Sequence, residues 1–277
     1  MLDDTETRYL EANGLRFAYQ SHGEMGGPAI VLIRGLGTQM IEWSPLLIDT
    51  LIEAGLRVVI FDNRDAGLSS RMTEDYALAD MAADVVALMK ALGEQSFHVF
   101  GISLGGMIAQ LVAALHGDSV RCLFSVMSTS GNPDLPVATK AVRIRLQSTA
   151  PDRAGRIALD AENRAVWGSP GYPETEAERL EMATRTYDRC HFPEGVSRQM
   201  LAAIEDGSRV QRLAGIRART LVIHGADDPL ILPACGEDTA RVIPGAEFQL
   251  IPGMGHNIPH ALAPEIGTRI LAFIDSD

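Results

Sequence analysis

The sequence predicts an α/β fold: a mostly parallel central sheet flanked by helices, with a helical cap insert. Three observations carry this reading. Short apolar, strand-like runs alternate with helix-like segments along the first half of the chain. That alternation stops after Ser130 and resumes at Arg219. The stretch between them is charged, punctuated by Pro136, Pro151, Pro170, Pro173 and Pro193, and has no strand-like run. The chain has 277 residues, of which 46% are hydrophobic, enough for one large α/β domain or a core domain with an insert.

The elements follow in order. Thr7 to Glu11 and Leu15 to Ser21 read as a hairpin turning at Asn13-Gly14, a two-residue turn signal. Ala29 to Ile33 is an apolar strand, Trp43 to Ala54 has helical spacing up to Gly55, and Arg57 to Phe61 is a strand. Leu78 to Leu92 is a helix stopped by Gly93, Ser96 to Phe100 a strand, Leu104 to Leu115 an apolar helix, and Val120 to Met127 a strand. In the insert, helices are predicted over Val137 to Ser148, Arg153 to Trp167, Glu174 to Cys190 and Glu194 to Asp206. Strands follow at Arg219 to Ile223 and Glu247 to Ile251, then a helix from Ala263 to Ile274. The domain reading is a core of 1–131 and 214–277 with a cap of 132–213. A cap belongs over the carboxyl edge of the sheet, where open α/β sheets bind ligands.

Composition bounds the partners. The net charge is −12, which disfavours nucleic acid and anionic membranes, since phosphate binding needs a basic patch. Cys122, Cys190 and Cys235 are odd in number and widely spaced, so neither a disulfide framework nor a zinc site is expected. The acidic start Met1-Leu2-Asp3-Asp4-Thr5-Glu6 is unlike a signal peptide, and no apolar run is long enough to span a bilayer. A cytoplasmic protein acting on a small molecule, with no metal and no cofactor, is the expectation. Oligomeric state is not legible.

The chemistry concentrates at strand ends. Gly101-Ile102-Ser103-Leu104-Gly105 places Gly-x-Ser-x-Gly between a strand and an apolar helix, the sequence form of a nucleophile elbow. A serine hydroxyl needs a base and a third group to orient that base. Of seven histidines, His256 is the candidate base, on a Gly-rich loop directly after the last strand. His260 is its nearest rival; His22, His98, His116, His191 and His224 sit in or beside strands, at a helix end or in the insert. The candidate acid is Asp227 or Asp228, in a turn after the strand that ends at His224-Gly225, and residue physics alone leaves the two open. The apolar strand before Arg34-Gly35-Leu36-Gly37 ends in a Gly-flanked loop. The backbone N–H groups of Leu36 and Leu104 are therefore candidate oxyanion donors. Met40, Trp43, Met107 and Met127 read as core. Gly35 and Trp167, the latter before Gly168 in the insert, are the candidate substrate contacts.

These motifs together resemble the α/β-hydrolase superfamily over nearly the whole chain. Gly101-Ile102-Ser103-Leu104-Gly105-Gly106, His224-Gly225-Ala226-Asp227-Asp228-Pro229 and Gly253-Met254-Gly255-His256 carry the resemblance. It implies a Ser103, Asp228 and His256 triad, because the family acid is the last position of His-Gly-x-x-Asp. Asp62-Asn63-Arg64-Asp65-Ala66-Gly67-Leu68-Ser69 is similar to a family loop; its form, with the Pro252-Gly253-Met254-Gly255-His256 segment, is similar to a subgroup that includes polyketide methylesterases of the aclacinomycin methylesterase type, and the chain as a whole resembles carboxylesterases. Where the family often has His-Gly, this chain has Arg34-Gly35, and a carboxylate partner is expected for Arg34. Ser103 argues against dehalogenases and epoxide hydrolases, which use Asp there, and Leu104 against proline iminopeptidases. The resemblance implies a carboxylic ester hydrolase. C–C bond hydrolases, cofactor-free haloperoxidases and a slow-turnover ligand receptor share the fold. A neutral histidine base implies activity rising through roughly pH 6–7.

Overall fold

A computed structural model describes residues 2 and 4–276. The sheet has eight strands: β1 (Arg8–Ala12), β2 (Leu15–His22), β3 (Ala29–Ile33), β4 (Arg57–Phe61), β5 (Phe97–Ile102), β6 (Val120–Val126), β7 (Arg219–Gly225) and β8 (Glu247–Ile251). Their spatial order is β1-β2-β4-β3-β5-β6-β7-β8. β2 is antiparallel to β1 and β4, and every other pairing is parallel. The hairpin turns where predicted, with Asn13 at φ 50° and Gly14 at φ 74°, the left-handed pair that a two-residue hairpin requires.

Every residue of β3, β4 and β5 is buried, because helices cover both faces of the sheet. The strand period of two divides their side chains between two cores. Val31, Ile33, Val59, Phe61 and Val99 pack against α2 (Leu78–Ala91) and α3 (Leu104–Leu115). Ile30, Leu32, Val58, Ile60 and Phe100 pack against α1 (Pro45–Glu53) and α10 (Ala263–Asp275). Among the described residues, no helix is long and apolar enough to cross a membrane.

Between β6 and β7 the chain is helical: α4 (Lys140–Leu146), α5 (Arg153–Trp167), α6 (Glu176–Arg189), α7 (Pro193–Asp206) and the single turn α8 (Val210–Leu213). α5 and α6 share a small core of Ile157, Ala161 and Ala183. Three arginines, one each from α5, α6 and α7, fasten the insert to loops at the carboxyl edge of the sheet. Arg164 pairs with Glu42, Arg189 with Asp62 at 2.7 Å, and Arg198 with Asp65 at 2.8 Å. Asp62 and Asp65 are fully buried, and carboxylates in that position need such partners.

Four sequence expectations need correction. The helix predicted from Trp43 begins at Pro45, because proline suits the first helical turn; Trp43 instead packs edge-on against Phe100 at 5.7 Å. The helix predicted over Val137 to Ser148 is shortened to Lys140–Leu146, with Thr139 accepting from the Val142 N–H as its cap. The helix predicted from Glu174 starts after Thr175, whose side chain forms a capping box with Glu178. No helix was expected over 233–242, where α9 (Pro233–Val242) lies. Gly236 hides the helical pattern there, and it is needed because a Cβ would sit 2.4 Å from the His224 ring.

His98, the second residue of β5, makes one testable contribution to stability. Burial, with Arg121 and Arg219 nearby, pushes its pKa down from 6.5 to about 4. The unfolded chain therefore binds a proton between those values that the folded chain does not. Stability is full above pH 6.5 and falls as pH drops towards 4, by about 3 kcal/mol in total from this group. Urea melts of His98→Gln should show a flatter loss of stability over that window than wild type; an identical pH slope sinks the assignment.

Candidate active site

Ser103 sits on the sharp turn between β5 and α3 with φ 55° and ψ −121°, a conformation that costs a non-glycine residue energy. Its surroundings hold it there. Its N–H donates to the Val126 carbonyl at 3.0 Å, and its own carbonyl accepts from the Ser128 hydroxyl at 2.9 Å. The flanking glycines let the helix lie on the sheet. A Cβ at Gly101 would fall 2.0 Å from the Gly105 carbonyl oxygen, and one at Gly105 2.2 Å from that of Ile33. The result is a hydroxyl displayed at the carboxyl edge of the sheet.

His256 reaches that hydroxyl from the loop after β8. Its Nε2 is 2.9 Å from Ser103 Oγ, and its Nδ1 is 2.6 Å from Asp228 Oδ2. The other oxygen of Asp228 accepts from the N–H groups of Leu230 and Ile231 at 2.8 and 2.9 Å. Burial opposes the charge on Asp228, but the neighbouring His256 and hydrogen bonds from His224 and His256 outweigh it. Its carboxyl is held below the ordinary carboxylate range. A charged Asp228 keeps the imidazole proton on Nδ1, which leaves the Nε2 lone pair to accept from the serine. The arrangement is that of a hydroxyl, a base and an orienting acid in series.

The adjacent aspartates divide their work. Asp228 faces the histidine, whereas Asp227 Oδ2 accepts from the Gly253 N–H at 2.9 Å and its own N–H donates to the Met254 carbonyl at 2.9 Å. Asp227 thus anchors the loop that carries His256. His260, the rival histidine, lies four residues away with Nδ1 2.9 Å from the Ser44 hydroxyl. His224 is buried behind Asp228, with Nε2 2.8 Å from the Ile231 carbonyl.

The loop after β3 lies against the serine. A Cβ at Gly35 would be 3.2 Å from Ser103 Cβ, so glycine leaves the space beside the hydroxyl open. Leu36 follows it, and the Leu104 N–H, first in α3, lies outside the helical hydrogen-bond ladder. Gln199 of α7 braces this loop by accepting from the Gly37 N–H at 2.8 Å while donating to the Arg64 carbonyl at 2.8 Å. Sequence reasoning did not find Gln199, because nothing in a helix of mixed composition marks one glutamine as buried.

Arg34 has the expected carboxylate partner. Its Nη2 is 3.6 Å from Glu42, which it shares with Arg164, and its guanidinium lies 4.8 Å over the Trp43 ring. Burial lowers the Arg34 pKa, and the Glu42 charge offsets this only in part. Met40, Trp43 and Met127 are core, while Met107 packs at the core edge. Trp167 is half-buried at the end of α5, and its carbonyl accepts from the His256 N–H at 2.6 Å. Among the described residues, no group of three or more His, Cys, Asp or Glu side chains is placed to hold a metal ion.

Comparison with known proteins agrees with this architecture. A family model described as alpha/beta hydrolase fold matches residues 28–166. A putative carbamate hydrolase, RutD of Variovorax paradoxus (strain S110), is 31% identical over 245 residues, covering 86% of this chain and 88% of that protein. Rhodomycin D methylesterase DnrP of Streptomyces peucetius is 26% identical, covering 96% of this chain and 97% of that one. Among solved structures, an S103A mutant of the meta-cleavage product hydrolase CumD from Pseudomonas fluorescens IP01 superposes with a TM-score of 0.82. It is 19% identical and covers 97% of each chain, a likeness of fold. The chain belongs to the alpha/beta hydrolase fold family.

Proposed function

We propose that this protein is a serine-dependent carboxylic ester hydrolase that uses Ser103, His256 and Asp228 on a small to medium, apolar ester and needs no cofactor. The observation that carries the reading is the unbroken chain from Ser103 Oγ through His256 to Asp228, with links of 2.9 and 2.6 Å. In the first step Ser103 Oγ attacks the carbonyl carbon while its proton passes to His256 Nε2. The oxygen that gains the electron pair is held by the N–H groups of Leu36 and Leu104. The ester C–O bond then breaks, and His256 returns the proton to the departing alcohol. Water, deprotonated by His256, attacks the acyl-serine; the carboxylic acid leaves and Ser103 regains its proton. Asp228 keeps His256 in the tautomer that each step needs. The helical insert serves as the cap, with Gly35 and Trp167 beside the acyl group.

A methylesterase among the relatives supports this class of reaction. A carbamate presents the same carbonyl, and the 31% identical relative with carbamate hydrolase in its name favours that as the second reading. The test is a series of p-nitrophenyl esters of increasing chain length, p-nitrophenyl carbamates alongside, and a fluorophosphonate whose adduct is mapped by mass spectrometry. Ester turnover with the adduct on Ser103 is expected. Turnover of carbamates alone replaces the first reading with the second. No turnover and no adduct on Ser103 overturns both.

A further inference from the structure

The loop that carries His256 is bound along its length to the insert. The His256 N–H donates to the Trp167 carbonyl at 2.6 Å, and the Gly171 N–H donates to the Gly253 carbonyl at 2.9 Å. Between these two backbone links lies the hydroxyl of Ser169. Its hydroxyl accepts from the Gly255 N–H at 2.9 Å and donates to Asn257 Oδ1 at 2.6 Å. Residues 253, 255, 256 and 257 are thereby all tied to 167–171. Met254, the remaining one, is fully buried in the core, where its carbonyl accepts from Asp227.

The sequence is built for this contact. A Cβ at Gly255 would lie 2.1 Å from the Gly168 carbonyl oxygen, and one at Gly171 2.8 Å from Gly253 Cα. Only glycines let the two backbones approach so closely. The insert side is itself held, because Arg164, one turn before Trp167 on α5, is paired with the buried Glu42. Ser169 is 3% exposed, so its hydroxyl bonds are shielded from competing water.

We propose that Ser169 is a positioning residue for His256: through Gly255 and Asn257 it holds the histidine loop in the register that presents the imidazole to Ser103 and Asp228. The insert is then part of the acyl-transfer machinery as well as a wall of the pocket. This rests on the triad reading above. Loss of the Ser169 hydroxyl releases the Gly255 N–H and loosens the ring by fractions of an ångström, a scale on which rates fall steeply.

The experiment compares wild type, Ser169→Ala, Asn257→Ala and, as an insert control, Ser148→Ala, a half-buried serine whose hydroxyl only donates back to the Ile144 carbonyl at 3.1 Å. Ser169→Ala should lower kcat about 10- to 100-fold with KM within about twofold, and Asn257→Ala should do the same more weakly. Ser148→Ala should match wild type. Proton NMR supplies a readout independent of turnover. The low-field Nδ1–H resonance of His256, expected in wild type and in Ser103→Ala, should broaden in Ser169→Ala at temperatures well below its melting point. If Ser169→Ala fails to fold, Asn257→Ala decides by the same two measurements. Wild-type kcat together with an unchanged resonance overturns the proposal, even where Tm has fallen. An inactive wild type with a low-field resonance that still broadens in Ser169→Ala defeats the ester reading and leaves the positioning role standing.

Discussion

Ser103→Ala is expected to lower kcat for ester hydrolysis about 10⁴- to 10⁶-fold while the protein stays folded. In the proposed mechanism the hydroxyl forms the acyl bond, and the neighbouring Ser128 hydroxyl is committed to the Ser103 carbonyl at 2.9 Å. What survives is the rate that the backbone N–H groups and substrate binding supply by themselves. Stability should barely change, with Tm within about 3 °C of wild type. Alanine keeps the Cβ, and hence the strained φ of 55°, and loses one hydrogen bond to His256. Kinetics on p-nitrophenyl acetate and a thermal melt check both halves. Retention of a tenth or more of the wild-type rate would move the nucleophile elsewhere.

Asp228→Asn is expected to lower kcat about 10⁴-fold, whereas Asp227→Asn should stay within about tenfold of wild type. The two side chains are adjacent and chemically identical, and their placement separates them as the family motif implied. An asparagine amide at 228 would donate to His256 Nδ1, push the ring proton to Nε2 and remove the acceptor that the serine needs. At 227 the amide oxygen can still accept from the Gly253 N–H, so the loop keeps its anchor. The pH dependence carries a sign as well. Asp228 is held below the ordinary carboxylate range, so the stability it contributes is present above that range and is lost as pH falls below it. Acid melts of Asp228→Asn should lack that loss. Equal kinetic damage from both substitutions would sink the assignment of the acid.

Much of this was readable in the residues because it depends on short patterns. Ala29–Ile33 and Arg57–Phe61 appear as strands at the bounds expected, since strands buried on both faces are continuous apolar runs. The Gly-x-Ser-x-Gly segment and the Asn13-Gly14 turn are legible because a few neighbouring residues dictate their backbone. α9 was not, because Gly236 is there to clear the His224 ring, a contact made across the fold.

The sequence by itself determined the alternation of strands and helices, the helical insert, and the order of serine, acid and histidine at three strand ends. Residue physics left Asp227 and Asp228 open, and the family motif implied Asp228; tertiary structure decided what Asp227 does instead, which carboxylate receives Arg34, and that Ser169 lies under Gly255. The physical reason is range. Ser169 and Gly255 are 86 residues apart, and Gly37 and Gln199 162, and one end of each bond is a backbone N–H that every residue but proline possesses. A group carried at nearly every position leaves no mark in composition or spacing, so its partner is found only where folding brings the two together.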